Sequence, residues 1–216
     1  MAKSPRGQRN PEKTLEELAR ELGCLPPPGA LERLAEYAAL IQRWNRRKRI
    51  VGSREPGEIV GVHLADALAL AGRLQKLDPA GETLLDVGSG AGLPGLAVAL
   101  LIPSLKTSLC EVSEKRVAFL HHARRVLEAR FEILHEDVHK LAMRLDGFDH
   151  VVSRAVFEPP EWLEVGRRCV RPTGRIWCMV TDRQQEQYQI DGEQFHYSVT
   201  GGRKRILLYL QGPDFK

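Results

Sequence analysis

Leu84-Leu85-Asp86-Val87-Gly88-Ser89-Gly90-Ala91-Gly92-Leu93-Pro94-Gly95 is an apolar run that ends in an acid, passes through glycines at alternate positions and opens into Leu96-Ala97-Val98-Ala99-Leu100. The pattern predicts strand, tight turn and helix. Glycine admits positive φ and lets a ligand approach the backbone without a Cβ in the way, and Pro94 suits the first turn of the helix. Gly88, Ser89, Gly90 and Gly92 are therefore candidates to cradle a nucleotide-like ligand.

Charge separates the possible ligands. Gly90, Gly92 and Gly95 satisfy G-x-G-x-x-G, and Glu111 ends a second apolar run nineteen residues after Gly92, so a dinucleotide and an oxidoreductase activity fit the spacing. Asp86 opposes that reading, because a carboxylate at the strand tip repels a pyrophosphate at short range. It suits S-adenosylmethionine, which carries a sulfonium and an ammonium and no phosphate. The ribose hydroxyls of that ligand suit Glu111, one strand further on.

Downstream, short apolar runs alternate with helical segments, the signature of a parallel sheet covered on both faces. Strands are predicted at Thr83 to Val87, Thr107 to Glu111, Glu132 to Leu134, His150 to Ser153 and Arg175 to Val180. Helices are predicted at Leu96 to Leu101, Glu114 to Ala129, Val138 to Arg144 and Pro160 to Cys169. Phe195 to Val199 and Ile206 to Leu210, on either side of Gly201-Gly202, read as a closing antiparallel hairpin.

Upstream, residues 1–11 are basic and polar and are expected to be a disordered tail. Residues 12–80 form a helical extension or cap, and 81–216 the ligand-binding core. Helices are predicted from Lys13 to Leu22, from Ala30 to Arg47 and from Ile59 to Leu74. On the last, His63 and Asp66 stand three apart and are expected to share a helix-surface hydrogen bond, with a direct role at the ligand as the alternative.

With 216 residues, 43% hydrophobic and 28% charged, the chain is in the ordinary globular class. A net charge of +4 is compatible with a polyanionic partner. The basic residues cluster at Arg46, Arg47, Lys48 and Arg49, at Lys115 and Arg116, and at Arg203, Lys204 and Arg205, which makes these the candidates for contacting the phosphates of a nucleic acid. Trp44, Phe157 and Trp162 could stack on a base, although Trp44 and Trp162 are expected to be packing residues. Cys24, Cys110, Cys169 and Cys178 have no C-x-x-C spacing and mostly fall in apolar contexts, which fits buried reduced thiols rather than a metal site or disulfide framework. No apolar run approaches the length of a membrane span, so a cytoplasmic protein is expected.

Three motifs together resemble the glucose-inhibited division protein B family: Asp86 to Gly95, then Glu111-Val112-Ser113-Glu114-Lys115-Arg116, then Ser153-Arg154-Ala155. Trp44-Asn45, Arg54 to Ile59 and His63-Leu64-Ala65-Asp66-Ala67 look like the helical cap of that family. The resemblance implies a class I methyltransferase fold, Rossmann-like, with a mostly parallel sheet, a C-terminal antiparallel hairpin and an N-terminal helical extension. It implies S-adenosylmethionine as methyl donor, guanine N7 in 16S ribosomal RNA as acceptor, 16S rRNA or the small ribosomal subunit as partner, and a monomer without metal. Donor-binding positions would fall on Gly88, Leu93, Glu111, Val112, Ser113, Val138, His139 and Arg154. Three departures stand out. The usual Asn-Leu-Thr element is Arg49-Ile50-Val51 and His-x-x-Asp-Ser ends in Ala67, which also admits an RNA-binding relative that no longer methylates, and His139 stands where an acid often follows the third strand.

Guanine N7 carries an in-plane lone pair and no proton, so the transfer needs alignment and charge stabilisation rather than a general base. Asp86 is the candidate for placing the charged end of the donor. Arg154, just past an apolar strand, is the candidate for holding the donor carboxylate, a phosphate or guanine O6.

Overall fold

In the computed structural model, which describes residues 11–48, 50–52, 58–143, 146–199 and 202–211 and no side chains for 11–14, the apolar runs form one seven-stranded sheet. Strands β1 (Thr83–Val87), β2 (Lys106–Cys110), β3 (Glu132–Leu134), β4 (Phe148–Ser153) and β5 (Val170–Val180) are parallel. The hairpin β6 (Glu193–Val199) and β7 (Arg203–Gln211) joins β5 antiparallel through β7. The order β3-β2-β1-β4-β5-β7-β6 reverses direction between β1 and β4, which opens a crevice at their C-terminal ends.

Side chains alternate across each strand, so Leu84 enters one core and Leu85 the other. The first face is covered by α1 (Pro11–Glu21), α2 (Ala30–Asn45), α3 (Ala65–Gln75), α4 (Gly95–Leu101) and α5 (Glu114–Val126), with Leu15, Tyr37, Leu68 and Phe119 fully buried. The second is covered by α6 (Val138–Ala142) and α7 (Pro159–Cys169), which carry Leu141 and Trp162 inward. The helical N-terminal region thus shares one continuous apolar core with the sheet. Trp44 packs edge-on against Phe119, with ring centroids 5.2 Å apart, and Trp162 donates from Nε1 to the Trp177 carbonyl at 2.8 Å.

Three local features differ from the sequence expectation. Ile59–Leu64 is a π-helical turn leading into α3, a variation that apolar spacing alone does not distinguish. Strand β5 starts at Val170, where Arg171 and Thr173 break the apolar run and Arg171 instead pairs with Asp149 at 2.6 Å. Helix α8 (Asp182–Tyr188) buries no residue and so has no apolar stripe. Its signal is the capping box, in which Thr181 Oγ1 accepts the Gln184 amide at 3.2 Å and Gln184 Oε1 accepts the Thr181 amide at 3.1 Å.

All four cysteines are buried free thiols, and desolvation pushes that of Cys110 up to about 12. Among the described residues no helix is long and apolar enough to cross a membrane. Of the expected tail at residues 1–11, residues 1–10 lie outside the described residues and Pro11 is the first residue of α1; Arg49, the Arg54 to Gly57 segment, Arg144 and Gly201 also lie outside them.

Candidate active site at the glycine turn

The turn after β1 is tied down from three sides. Asp86, fully buried, accepts the Gly95 amide through Oδ2 at 2.8 Å. Glu111, beyond β2, accepts the Gly90 amide through Oε2 at 2.8 Å and the Ser113 amide through Oε1 at 2.9 Å. Tyr37 of α2 donates its hydroxyl hydrogen to the Ala91 carbonyl, which anchors the N-terminal helices to the turn.

Two adjoining cavities open over this turn, both bordered by Gly88, Arg116 and Val156. One, of about 230 Å3, is lined by Glu111, Val112, Asp137, Val138 and His139 and offers a carboxylate flanked by apolar walls. Val112 is 61% exposed and Val156 48%, and both border this cavity. The other, of about 350 Å3, is lined by Ser89, Gly90, Leu93, His63, Arg154 and the Ile50–Gly52 backbone segment, among others. Gly88 has φ +66°, and a Cβ there would stand 2.6 Å from Val156 Cγ2, so the shared rim requires glycine.

Asp86, expected at the charged end of the donor, lines neither cavity. Its Oδ2 is turned to the Gly95 amide at the end of its own turn. Burial pushes its carboxyl up to about 7, against the lowering effects of the Gly95 amide and Arg154. Gly92 is likewise beneath the turn, where a Cβ would stand 2.7 Å from Leu96 Cβ, and it borders neither cavity. Ser113 acts through its amide on Glu111, whereas Gly88, Ser89, Gly90, Leu93, Glu111, Val112, Val138, His139 and Arg154 all line one cavity or both.

Arg154, at the end of β4, is held by groups from distant parts of the chain. Its Nη1 donates to His63 Nδ1 at 2.7 Å and to Asp66 Oδ2 at 3.2 Å, and Asp66 Oδ1 accepts the Tyr197 hydroxyl at 2.7 Å. His63 and Asp66 therefore turn inward to Arg154 and not to each other. Burial raises the Asp66 carboxyl and Arg154 counteracts it. Ala155, next in the chain, has φ +56°, a strained conformation for a residue with a Cβ. Tyr197 had no motif to mark it. Its role depends on β6 folding back onto α3.

Beyond Arg154 a third, small cavity of about 130 Å3 is bordered by Phe157, Trp162, Thr181, Gln184 and Arg205, with Phe157 stacked on Trp162 at 6.1 Å between centroids. The basic clusters separate. Arg46, Arg47 and Lys48 join Arg43 and Trp44 around a cavity of about 810 Å3 with no acidic side chain in its lining among the described residues. Arg116, expected on RNA, instead reaches the glycine-turn cavities and pairs with Glu111 at 3.5 Å. Lys115 is half-buried and borders none of these cavities. Lys204 is exposed, Arg203 pairs with Glu58 at 3.4 Å, and Arg205 borders the third cavity.

The fold recurs in known proteins. TrmN from Thermus thermophilus superposes with a TM-score of 0.54 at 18% identity, covering 68% of this chain and 48% of that one, which shows the fold. The proteins called ribosomal RNA small subunit methyltransferase G are similar in sequence: that of Anaeromyxobacter sp. is 34% identical over 175 residues, 76% of each chain. That of Aromatoleum aromaticum is 36% identical over 171 residues, covering 77% of this chain and 79% of the relative. The dinucleotide oxidoreductase reading of the same glycine spacing is thereby set aside. Residues 30–208, which hold the glycine turn, Glu111 and Arg154, match the family model described as rRNA small subunit methyltransferase G, and the chain belongs to that family.

Proposed function

We propose that the protein transfers a methyl group from S-adenosylmethionine to N7 of a guanine in 16S rRNA, acting as a monomer in the cytoplasm. The observation that carries this reading is the pair of cavities meeting at Gly88, one with a carboxylate between apolar walls and one with Arg154 and unpartnered polar atoms on His63 and Ser89. That lining fits a ligand with a hydroxylated, planar apolar end and an amino-acid end. When bound, S-adenosylmethionine supplies an electrophilic methyl carbon on a positively charged sulfur.

The residues of this chain then bind and orient. Glu111 accepts the ribose hydroxyls, with Val112 and Val138 against the adenine. Arg154 takes the carboxylate end of the donor or the guanine carbonyl. Phe157 and Arg205 offer a stacking face and a cation to the incoming base in the third cavity. No residue has to remove a proton from N7, so a base is not needed, and alignment supplies much of the acceleration, an effect worth up to roughly 7–11 kcal/mol. Arg46, Arg47 and Lys48 contact phosphates flanking the target, and the short segment Ile50–Gly52 leads from their cavity to the glycine turn.

Methyl transfer from tritiated donor to small subunits from a strain lacking the modification tests the reading, with mass spectrometry of the product to place the methyl at N7. Stabilisation by S-adenosylhomocysteine and not by NADH is expected in a thermal-shift comparison. Zero incorporation into any small-subunit preparation overturns it and favours an RNA-binding relative without catalysis.

A further inference from the structure

Three buried polar atoms without a hydrogen-bond partner belong to residues that line the larger glycine-turn cavity: His63 Nε2, Ser89 Oγ and Arg154 Nε. A buried polar group left unpaired is costly, and three around one cavity mark a place where a ligand completes the bonding. Their chemistry is lopsided. Arg154 can only donate, and a serine hydroxyl can donate.

The state of His63 follows from its neighbour. The guanidinium of Arg154 has no acceptor, so the 2.7 Å contact makes His63 Nδ1 the acceptor and places the ring proton on Nε2. Burial, helped by the Arg154 charge, pushes the imidazole down to about 4, so it is neutral near pH 7. The π-helical turn Ile59–Leu64 is what delivers the ring to this place.

Building on the functional reading above, we infer that His63 contacts the reacting ligands directly, its Nε2–H donating to an oxygen acceptor while Nδ1 fixes Arg154. The acceptor is the carboxylate of the methyl donor or the O6 carbonyl of the target guanine, which share this chemistry. His63 is then a specificity-determining contact with a single allowed tautomer. A ring with its proton on Nδ1 could not accept from Arg154.

Two substitutions split its two nitrogens. Gln places an amide N–H near the position of Nε2, whereas Asn leaves an acceptor near Nδ1 for Arg154 and loses the outer donor. His63→Asn should lose about tenfold or more, the scale of a hydrogen bond to a charged or strongly polar partner, and His63→Gln, which keeps the outer donor but gives up the acceptor for Arg154, should lose less than Asn. If the donor carboxylate is the acceptor, the loss appears in calorimetric binding of S-adenosylhomocysteine. If guanine O6 is the acceptor, that binding is unchanged and the loss appears in kcat/KM for 16S rRNA. An Asn variant equal to wild type in both measurements, or a Gln variant as impaired as Asn, overturns the inference.

Should either variant fail to fold, wild-type protein labelled with 15N decides the question. Long-range 1H–15N spectra are expected to show His63 neutral at pH 7 with the proton on Nε2, and that proton is expected to shift on addition of S-adenosylhomocysteine or RNA. A Nδ1–H tautomer, a charged ring or a signal indifferent to both ligands overturns it. Wild-type protein that binds no S-adenosylhomocysteine overturns the functional reading itself, a result distinct from failure of the His63 contact alone.

Discussion

The amide of Gly95 donates to Oδ2 of Asp86 at 2.8 Å, which ties the first residue of α4 to the penultimate residue of β1 across the glycine turn. The approach is possible only without a side chain. A Cβ on Gly95 would stand 2.3 Å from Leu109 Cδ2 and 2.7 Å from Asp86 Cβ. The acid and the last glycine of the motif are thus a mechanical pair that sets the path of the loop between them.

Gly95→Ala should therefore lower stability by about 2 kcal/mol or more through overpacking. A urea midpoint equal to wild type would show that Leu109 and the loop can yield, and would remove the steric account of this glycine.

Asp86→Asn keeps a side-chain oxygen to accept the Gly95 amide and removes the titration. The folded carboxyl is raised to about 7 from 3.8, so its favourable contribution is complete below about pH 4 and is lost as pH rises through 7. The Asn variant has no such loss. Its stability relative to wild type should climb between pH 5 and pH 8 by on the order of 2 kcal/mol, read from denaturant midpoints at the two pH values. A constant difference contradicts the raised carboxyl.

Tyr197→Phe removes one of the donors that satisfy the buried Asp66 carboxylate. The expected cost is about 1–3 kcal/mol of stability, together with lower methyl transfer because Asp66 holds Arg154. Calorimetric melting and tritium transfer check the two effects, and an unchanged melting temperature counts against the network.

Replacing Arg46, Arg47 and Lys48 together with Ala should leave S-adenosylhomocysteine affinity intact, since their cavity shares no lining residue with the glycine-turn cavities. RNA affinity should fall, and the slope of its logarithm against the logarithm of salt concentration should shrink by about 2. An unchanged slope assigns the cluster to solvent.

The parallel core was legible because its strands are apolar on both faces and its turns carry glycine. Thr83–Val87 and Glu132–Leu134 form strands with the predicted bounds. Helix α8 was not, since a helix that buries nothing leaves no periodicity. Residues that line the glycine-turn cavities could be found because they cluster in short motifs at strand ends. Tyr197 could not, because the contact that gives it meaning spans 131 positions of chain.

Arg116 shows the same limit in another form. Charge alone put it with the RNA-contacting clusters, and only the position of Glu111 draws it over the glycine turn. Asp86 differs again: charge at a strand tip points it toward the donor, whereas in the fold its Oδ2 accepts from Gly95, a contact that rests on where the end of the turn lies.

By itself the sequence determined the alternation of strand and helix, the glycine turn, and the family to which those motifs belong, because these are properties of neighbouring residues. Only the tertiary structure decided that Asp86 braces the loop from behind, and that His63, Asp66 and Tyr197 gather on Arg154. Those contacts exist because the sheet, its antiparallel hairpin included, brings separate strands and the helices above them together, where chain distance no longer matters.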